Sequence, residues 1–430
     1  MFESDIYVRS GRIEKIGKDL SNMKVRHTLD VKGKFLLPGM IDDHVHFHEP
    51  GMEYKGDFSS ESRAAVAGGI TTFFDMPDTI PHVFNSEVLE AKARLASTKS
   101  IANFAFYHGA SNDNLEDIKA IDSLACCGLK IFMGGASRAL LVDKAEILDD
   151  IFKSSPVLIA THCEDMPTIV DNEESYRQIY GDDIPFQLHA KIRSEEACYK
   201  SSSLAIELAK SNKARLHVLH ITTAKEAEMF EAESVTEKMI TAEVCGHYLS
   251  FSDEDYASKG SLIKCEPAIK TESDRAGLFQ GLMDNRLDII ASDHSPQKWD
   301  EKQGSYFEVL SGIPTAEFFL PSLLEHYQDG IFSLEFLVQK TSHAVADLFN
   351  IKERGYIREG YWADFVIIDV EKGRMANSKE ALSKAAWTPY DGVEFRSSVY
   401  ATIVNGDLVY INGKTRTGTI GKRVEFNRTV

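Results

Sequence analysis

Six side chains, spread over five stretches of this chain, have the types and spacing of a divalent-metal site. His44 and His46 stand two apart in Ile41-Asp42-Asp43-His44-Val45-His46-Phe47-His48, behind the apolar approach Phe35-Leu36-Leu37-Pro38-Gly39-Met40. Read as a strand, this stretch turns both imidazoles to one face, because side chains two apart point the same way. Two imidazoles at a strand end make half of a metal site, and imidazole suits zinc. The other four are Lys130 in Gly128-Leu129-Lys130-Ile131-Phe132, His162 in Thr161-His162-Cys163-Glu164, His220 in His217-Val218-Leu219-His220, and Asp293 in Ser292-Asp293-His294-Ser295-Pro296. His217 lies three positions from His220 and is read as a core or outward residue. His294 is read as pointing off the site. Burial and neighbouring cations both lower a lysine's pKa, so Lys130 makes no sense as an ammonium there. Its neutral amine can react with carbon dioxide, giving a carbamate whose two oxygens can bridge two metals.

Such a set works only if a scaffold brings the stretches to one place. Apolar β-rich runs alternate with helix-length amphipathic segments along most of the chain. The runs are Ile41–His46, Ile70–Met76, Asn103–Tyr107, Leu129–Met133, Val157–His162, Leu216–His220, Met239–Val244 and Leu287–Ala291. Candidate helices include Ser60–Ala67, Ser86–Leu95, Glu195–Ala209 and Ala224–Glu231. Eight such units predict an α/β fold, a parallel (β/α)₈ barrel whose working residues collect at the C-terminal strand ends. A doubly wound sheet is the alternative, but no Gly-rich phosphate fingerprint follows the first strand. Before residue 41 and after about Gly355 the pattern is one of short strands and tight turns. These include Tyr361–Asp369 and a hairpin over Tyr400–Tyr410 with Asn405-Gly406 at its turn. The expected division is 1–40 and 351–430 as two parts of one small β-sandwich, flanking a barrel over 41–350. The N-terminal part is short enough to leave that sandwich without an edge strand.

At 430 residues, 43% of them hydrophobic, the chain can bury a large core. A net charge of −18 argues against nucleic acid or an anionic membrane as partner. The six cysteines form no C-x-x-C pair and read as reduced thiols. Neither a signal peptide nor a membrane-spanning run is apparent, so a cytoplasmic protein is expected.

Taken together, Asp43-His44-Val45-His46, Lys130, His162, His220 and Asp293 resemble the amidohydrolase superfamily, and more narrowly its dihydroorotase and cyclic amidohydrolase branch. Glu49-Pro50-Gly51, Ala67-Gly68-Gly69-Ile70-Thr71-Thr72, Asp75-Met76-Pro77, His162-Cys163-Glu164 and the stretch Gly355–Asp364 support it. The resemblance implies a buried zinc on His44, His46 and Asp293 and a more exposed zinc on His162 and His220. Carboxylated Lys130 and a hydroxide would bridge the two. Metals about 3.5–4 Å apart share the acidification of that water. Asp293 would accept its proton and pass it to the leaving nitrogen of a small cyclic amide. A homodimer or homotetramer is implied as well.

Dihydroorotase, the first expectation for this reading, holds a substrate carboxylate with an arginine two residues after the His-x-His pair, a loop asparagine after the second strand and a histidine four residues after the catalytic aspartate. Here those positions are His48, Asp78 and Gln297, and a further loop asparagine is matched by Glu266. With Gly312, these form the expected substrate-contacting set. A guanidinium is lost and two carboxylates are gained. An anion about 4 Å from each would be repelled by on the order of 4 kcal/mol at an effective dielectric of about 20. An allantoinase-like ring opener for a substrate without a carboxylate is therefore the alternative, and a catalytically silent homologue is a third. Hydantoinases place a tyrosine shortly after the metal lysine, where this chain has Gly134-Gly135-Ala136. The charged, glycine-containing segment Pro296–Tyr306 is the candidate for a loop that closes over substrate.

Overall fold

The computed structural model describes residues 2–31, 33–135, 137–416, 418 and 420–428. Eight parallel strand positions curl into a barrel in chain order: Met40–Val45, Ile70–Asp75, Asn103–Phe106, Leu129–Phe132, Ile159–His162, Leu216–Val218, Ile240–Cys245 and Ile289–Ala291. Each lies within two residues of the run expected from the sequence. The third strand breaks at Tyr107 and resumes as His108–Gly109. Its first part pairs with the second strand and its second part with the fourth. The ring closes where His46 N donates to His294 O at 2.7 Å. Beside that contact, Asp42 accepts from Ser292 N at 3.0 Å and from Ser292 Oγ at 2.5 Å. Nearly every strand residue is buried, as expected of parallel strands filled inside and covered by helices outside.

The helices begin where short polar side chains can take their free N–H groups. Asp57, Ser194, Thr223 and Thr271 each accept from the backbone of the helix they start. The segment expected as a helix to Glu231 is helical only over Ala224–Ala227. There Met229 N and Phe230 N fall back to carbonyls three residues earlier, and the helix closes as Phe230 is buried.

Both ends of the chain build the second layer system. Phe35–Pro38 pairs antiparallel with Phe365–Asp369, followed by Ser398–Val404, Asp407–Ile411 and Lys414–Thr415 in one five-stranded sheet. The hairpin Asp5–Arg9 and Arg12–Gly17 faces that sheet. Its Ile6, Val8, Ile13 and Ile16 pack with Leu36, Ala363, Phe365 and Ile403. Residues 420–428 leave the sandwich for the barrel floor. Phe104 N donates to Lys422 O, Val424 N donates to Phe104 O, and the Arg428 guanidinium reaches four backbone carbonyls. All six cysteines are free and buried. Among the described residues no helix is long and apolar enough to cross a membrane.

Candidate metal centre

At the C-terminal end of the barrel the two histidines of the first strand meet the aspartate that follows the eighth. Nε2 of His44 and Nε2 of His46 lie 3.3 and 3.5 Å from Asp293 Oδ1. Their donor atoms fall within 4.8 Å of one another, the spread that one cation bridges. Each imidazole is turned inward by a carboxylate behind it. His44 Nδ1 bonds Glu243 Oε1 at 2.9 Å, and His46 Nδ1 bonds Asp78 Oδ2 at 2.8 Å. Such partners fix the tautomer and leave Nε2 for a metal.

His162 and His220 form the neighbouring pair, with ring centroids 4.5 Å apart, and His220 lies 5.3 Å from His44. His162 Nε2 bonds Glu164 Oε2 at 2.9 Å, so Nδ1 is its nitrogen free for a cation. His220 Nε2 is buried with no hydrogen-bond partner. Lys130 is almost wholly buried, and burial lowers its pKa to about 8. Burial opposes a charge on His46, yet Asp78 and Asp293 outweigh it and raise its pKa to about 10. The carboxylates here favour positive charge, and an unpartnered imidazole nitrogen stands beside them. The donor set therefore fits divalent cations. His48, His220 and Asp293 all have positive φ, at 65°, 41° and 46°. Backbone strain of this kind concentrates where a site must be aimed.

The expected substrate-contacting residues are placed less uniformly. Asp78 spends Oδ2 on His46, because the loop after the second strand brings it behind that ring rather than free into a pocket. Glu266 is paired with Arg193 Nη2 at 2.8 Å and accepts from Ser311 Oγ at 2.8 Å. The two added carboxylates therefore each carry a positive or proton-donating partner, and the bare repulsion set out above does not apply in full. His48 Nε2 donates to Pro296 O at 2.9 Å, and burial lowers its pKa to about 4, which leaves it neutral. Its Nδ1 is buried without a partner. Gln297 is turned into the wall, where Lys55 Nζ donates to its Oε1 at 2.7 Å. Gly312 has φ +125°, and a Cβ there would stand 2.6 Å from Ser295 O, so the backbone requires glycine.

His294 turns away from the centre. Its Nε2 bonds Glu61 Oε2 at 2.9 Å and its Nδ1 accepts from Thr315 N and Ala316 N. His217 is fully buried beneath the centre, with Nε2 3.4 Å from Asp43 Oδ2 and 3.8 Å from Glu243 Oε2. The segment Pro296–Tyr306 is pinned at several points. Lys302 Nζ donates to Lys264 O, Leu310 O and Gly312 O, and Lys264 Nζ donates to Tyr306 O and Val309 O. Gly135, at φ +60°, lies against His162, and a Cβ there would be 2.5 Å from Nε2. Ala136 lies outside the described residues.

Sequence reasoning missed the groups behind the imidazoles: Glu243, Glu164 and Arg193. Burial raises the Glu243 pKa, but the imidazoles of His44 and His217 hold it below the usual carboxylate range. One signal was available. Glu243 is an acidic residue inside the apolar run Ile240–Cys245, and a buried carboxylate needs a partner.

Comparison with known proteins agrees with this geometry. A family model described as "Amidohydrolase family" matches residues 35–409, and the chain belongs to that family. More narrowly, it is a hydrolase of the family's cyclic amidohydrolase branch. It is 30% identical over 414 residues to a dihydroorotase of Methanothermobacter thermautotrophicus, covering 96% of this chain and 92% of that one. It is likewise 30% identical over 426 residues to an allantoinase of Bacillus velezensis, covering 97% and 93%. Among solved structures, the L-hydantoinase (dihydropyrimidinase) of Arthrobacter aurescens superposes with a TM-score of 0.92 at 25% identity, covering 98% of this chain and 96% of that one.

Proposed function

We propose that this protein opens a cyclic amide ring by two-metal hydrolysis, and that dihydroorotate, opened reversibly to N-carbamoyl-aspartate in pyrimidine biosynthesis, is its substrate. The observation that carries the reading is the convergence of His44 and His46 Nε2 on Asp293 Oδ1. His44, His46 and Asp293 would hold one zinc, His162 and His220 a second, and Lys130, as a carbamate, both. Bound there, the cations supply an acidified water and polarise the amide carbonyl. Asp293 would accept a proton from the attacking water and return it to the ring nitrogen as the C–N bond breaks. Glu243 and Asp78 keep the imidazoles of His44 and His46 in one tautomer throughout. A cytoplasmic homodimer or homotetramer accompanies this reading.

One observation favours a second reading, a ring without a carboxylate. Where a guanidinium would clamp an anion, His48 presents an unpartnered neutral nitrogen, with Asp78 close by. Allantoin, opened by relatives of similar identity, is the test compound for it.

The decisive experiment assays the full chain, stripped of metal by chelator and reloaded with zinc. Dihydroorotate, carbamoyl-aspartate and allantoin are compared, with Asp293→Ala as control. Zinc-dependent turnover of dihydroorotate, lost in the variant, is expected. Turnover of allantoin alone moves the assignment to the second reading. Turnover of neither, with no zinc bound, overturns both.

A further inference from the structure

The charged groups behind the two histidine pairs differ in reach. Behind His46 there is one carboxylate, Asp78. Behind His162 there is a chain of them. Glu164 Oε2 bonds His162 Nε2 at 2.9 Å and receives Arg193 Nη1 at 2.5 Å. The other arm of the same guanidinium holds Glu266 Oε1 at 2.8 Å, on the loop that also carries Lys264. We propose that Arg193 is a positioning residue for His162, and that its bridge to Glu266 ties the wall of the substrate pocket to that metal ligand. The proposal rests on the two-metal reading above.

Four features of the site argue for it. Glu164 is completely buried, so its charge needs a fixed cationic partner, and Arg193 supplies it. A planar fork can hold two carboxylates at once, whereas an ammonium is a point charge without that fixed geometry. The ring of His162 is flanked on its Nε2 side by the backbone at Gly135, where a Cβ would stand 2.5 Å from Nε2. Its choice is therefore which nitrogen carries the proton, and an ionised Glu164 decides for Nε2. Finally, the segment bearing Arg193 is fastened to the wall at a second point. Arg193 N donates to His189 O at 2.9 Å. The His189 ring is itself fixed between Tyr306 Oη and Cys265 O, at 2.8 Å each. A displacement of the Cys265–Glu266 wall is thus carried to the guanidinium, and through Glu164 to His162.

The test is zinc titration of the metal-free full chain against a competing chelator, repeated with cobalt(II), whose visible absorption follows each equivalent. In Arg193→Gln the second equivalent is expected to bind about 10–100-fold more weakly, with the first unchanged within about two-fold. Arg193→Lys recovers part of that loss. Glu266→Gln, at a partly exposed residue, weakens the second equivalent by about three-fold and leaves the first alone. Wild-type affinity for both equivalents in Arg193→Gln overturns the proposal, and so does an equal loss of both. An unchanged second equivalent in Glu266→Gln overturns the tie to the wall. Should Arg193→Gln fail to fold, Arg193→Lys and Glu266→Gln carry the same comparison. Wild-type protein that takes up no zinc is a different result, which sinks the two-metal reading itself.

Discussion

The metal centre and the pocket wall are built on different terms. In the centre, donors sit at strand ends, and His44, His46 and His162 each have a carboxylate behind them. In the wall, the residues belong to loops, and their positions are set by lysines, an arginine and backbone. Lys55 holds Gln297, Lys302 holds the carbonyls of residues 264, 310 and 312, and Arg193 holds Glu266. The contrast separates two duties. Strand ends fix a reaction, while loops over the same barrel set which ring can enter.

The comparison can be broken at its strongest point first. Asp293→Ala removes the aspartate that both imidazoles face, and kcat on the turned-over ring should fall by about 10³–10⁴-fold in steady-state assays. Glu243→Ala leaves every expected ligand in place but frees His44 to rotate. Zinc affinity should drop by about 10–100-fold, read by chelator competition. On the wall side, Gly312→Ala forces a side chain into a backbone only glycine adopts. It should cost about 1–3 kcal/mol in urea unfolding while leaving the first zinc equivalent unchanged.

A smaller effect lies far from both regions. His326, packed between Phe279 and Phe332, has its pKa lowered by burial to about 4. The unfolded chain takes up a proton near pH 6.5, before the folded one does. Stability is therefore unaffected above that value and falls as pH drops from about 6.5 to about 4. The loss by pH of about 4.5 is on the order of 2 kcal/mol, and His326→Leu should flatten that part of the curve in thermal melts. If zinc content changes over the same range, the metal centre is contributing and the separation of regions fails.

Why one region was legible in the sequence and the other was not follows from geometry. Along a strand the period of two fixes direction, so His44 and His46 could be placed on one face from spacing alone. The eight strands were readable because each is an apolar run between helical stretches. No period governs a loop. Position alone suggests a pocket carboxylate at Asp78, but the chain turns it onto His46. Glu243, Glu164 and Arg193 were missed because their roles depend on neighbours remote in sequence: His44 for Glu243, and each other, 29 residues apart in the connection between the fifth and sixth strands. The return of residues 420–428 to the barrel floor has no local signature at all, since it consists mainly of backbone bonds to Phe104 and carbonyls gripped by arginine.

The pairing of Phe35–Pro38 with Phe365–Asp369 bears on how the protein is made. The first barrel strand begins two residues after Pro38, so it hangs from a sheet whose partner strand is synthesised only after all eight barrel strands. Until then the nascent polypeptide carries its histidine-bearing strand with the sandwich side unanchored, and that side of the barrel must wait until Phe365–Asp369 has been made.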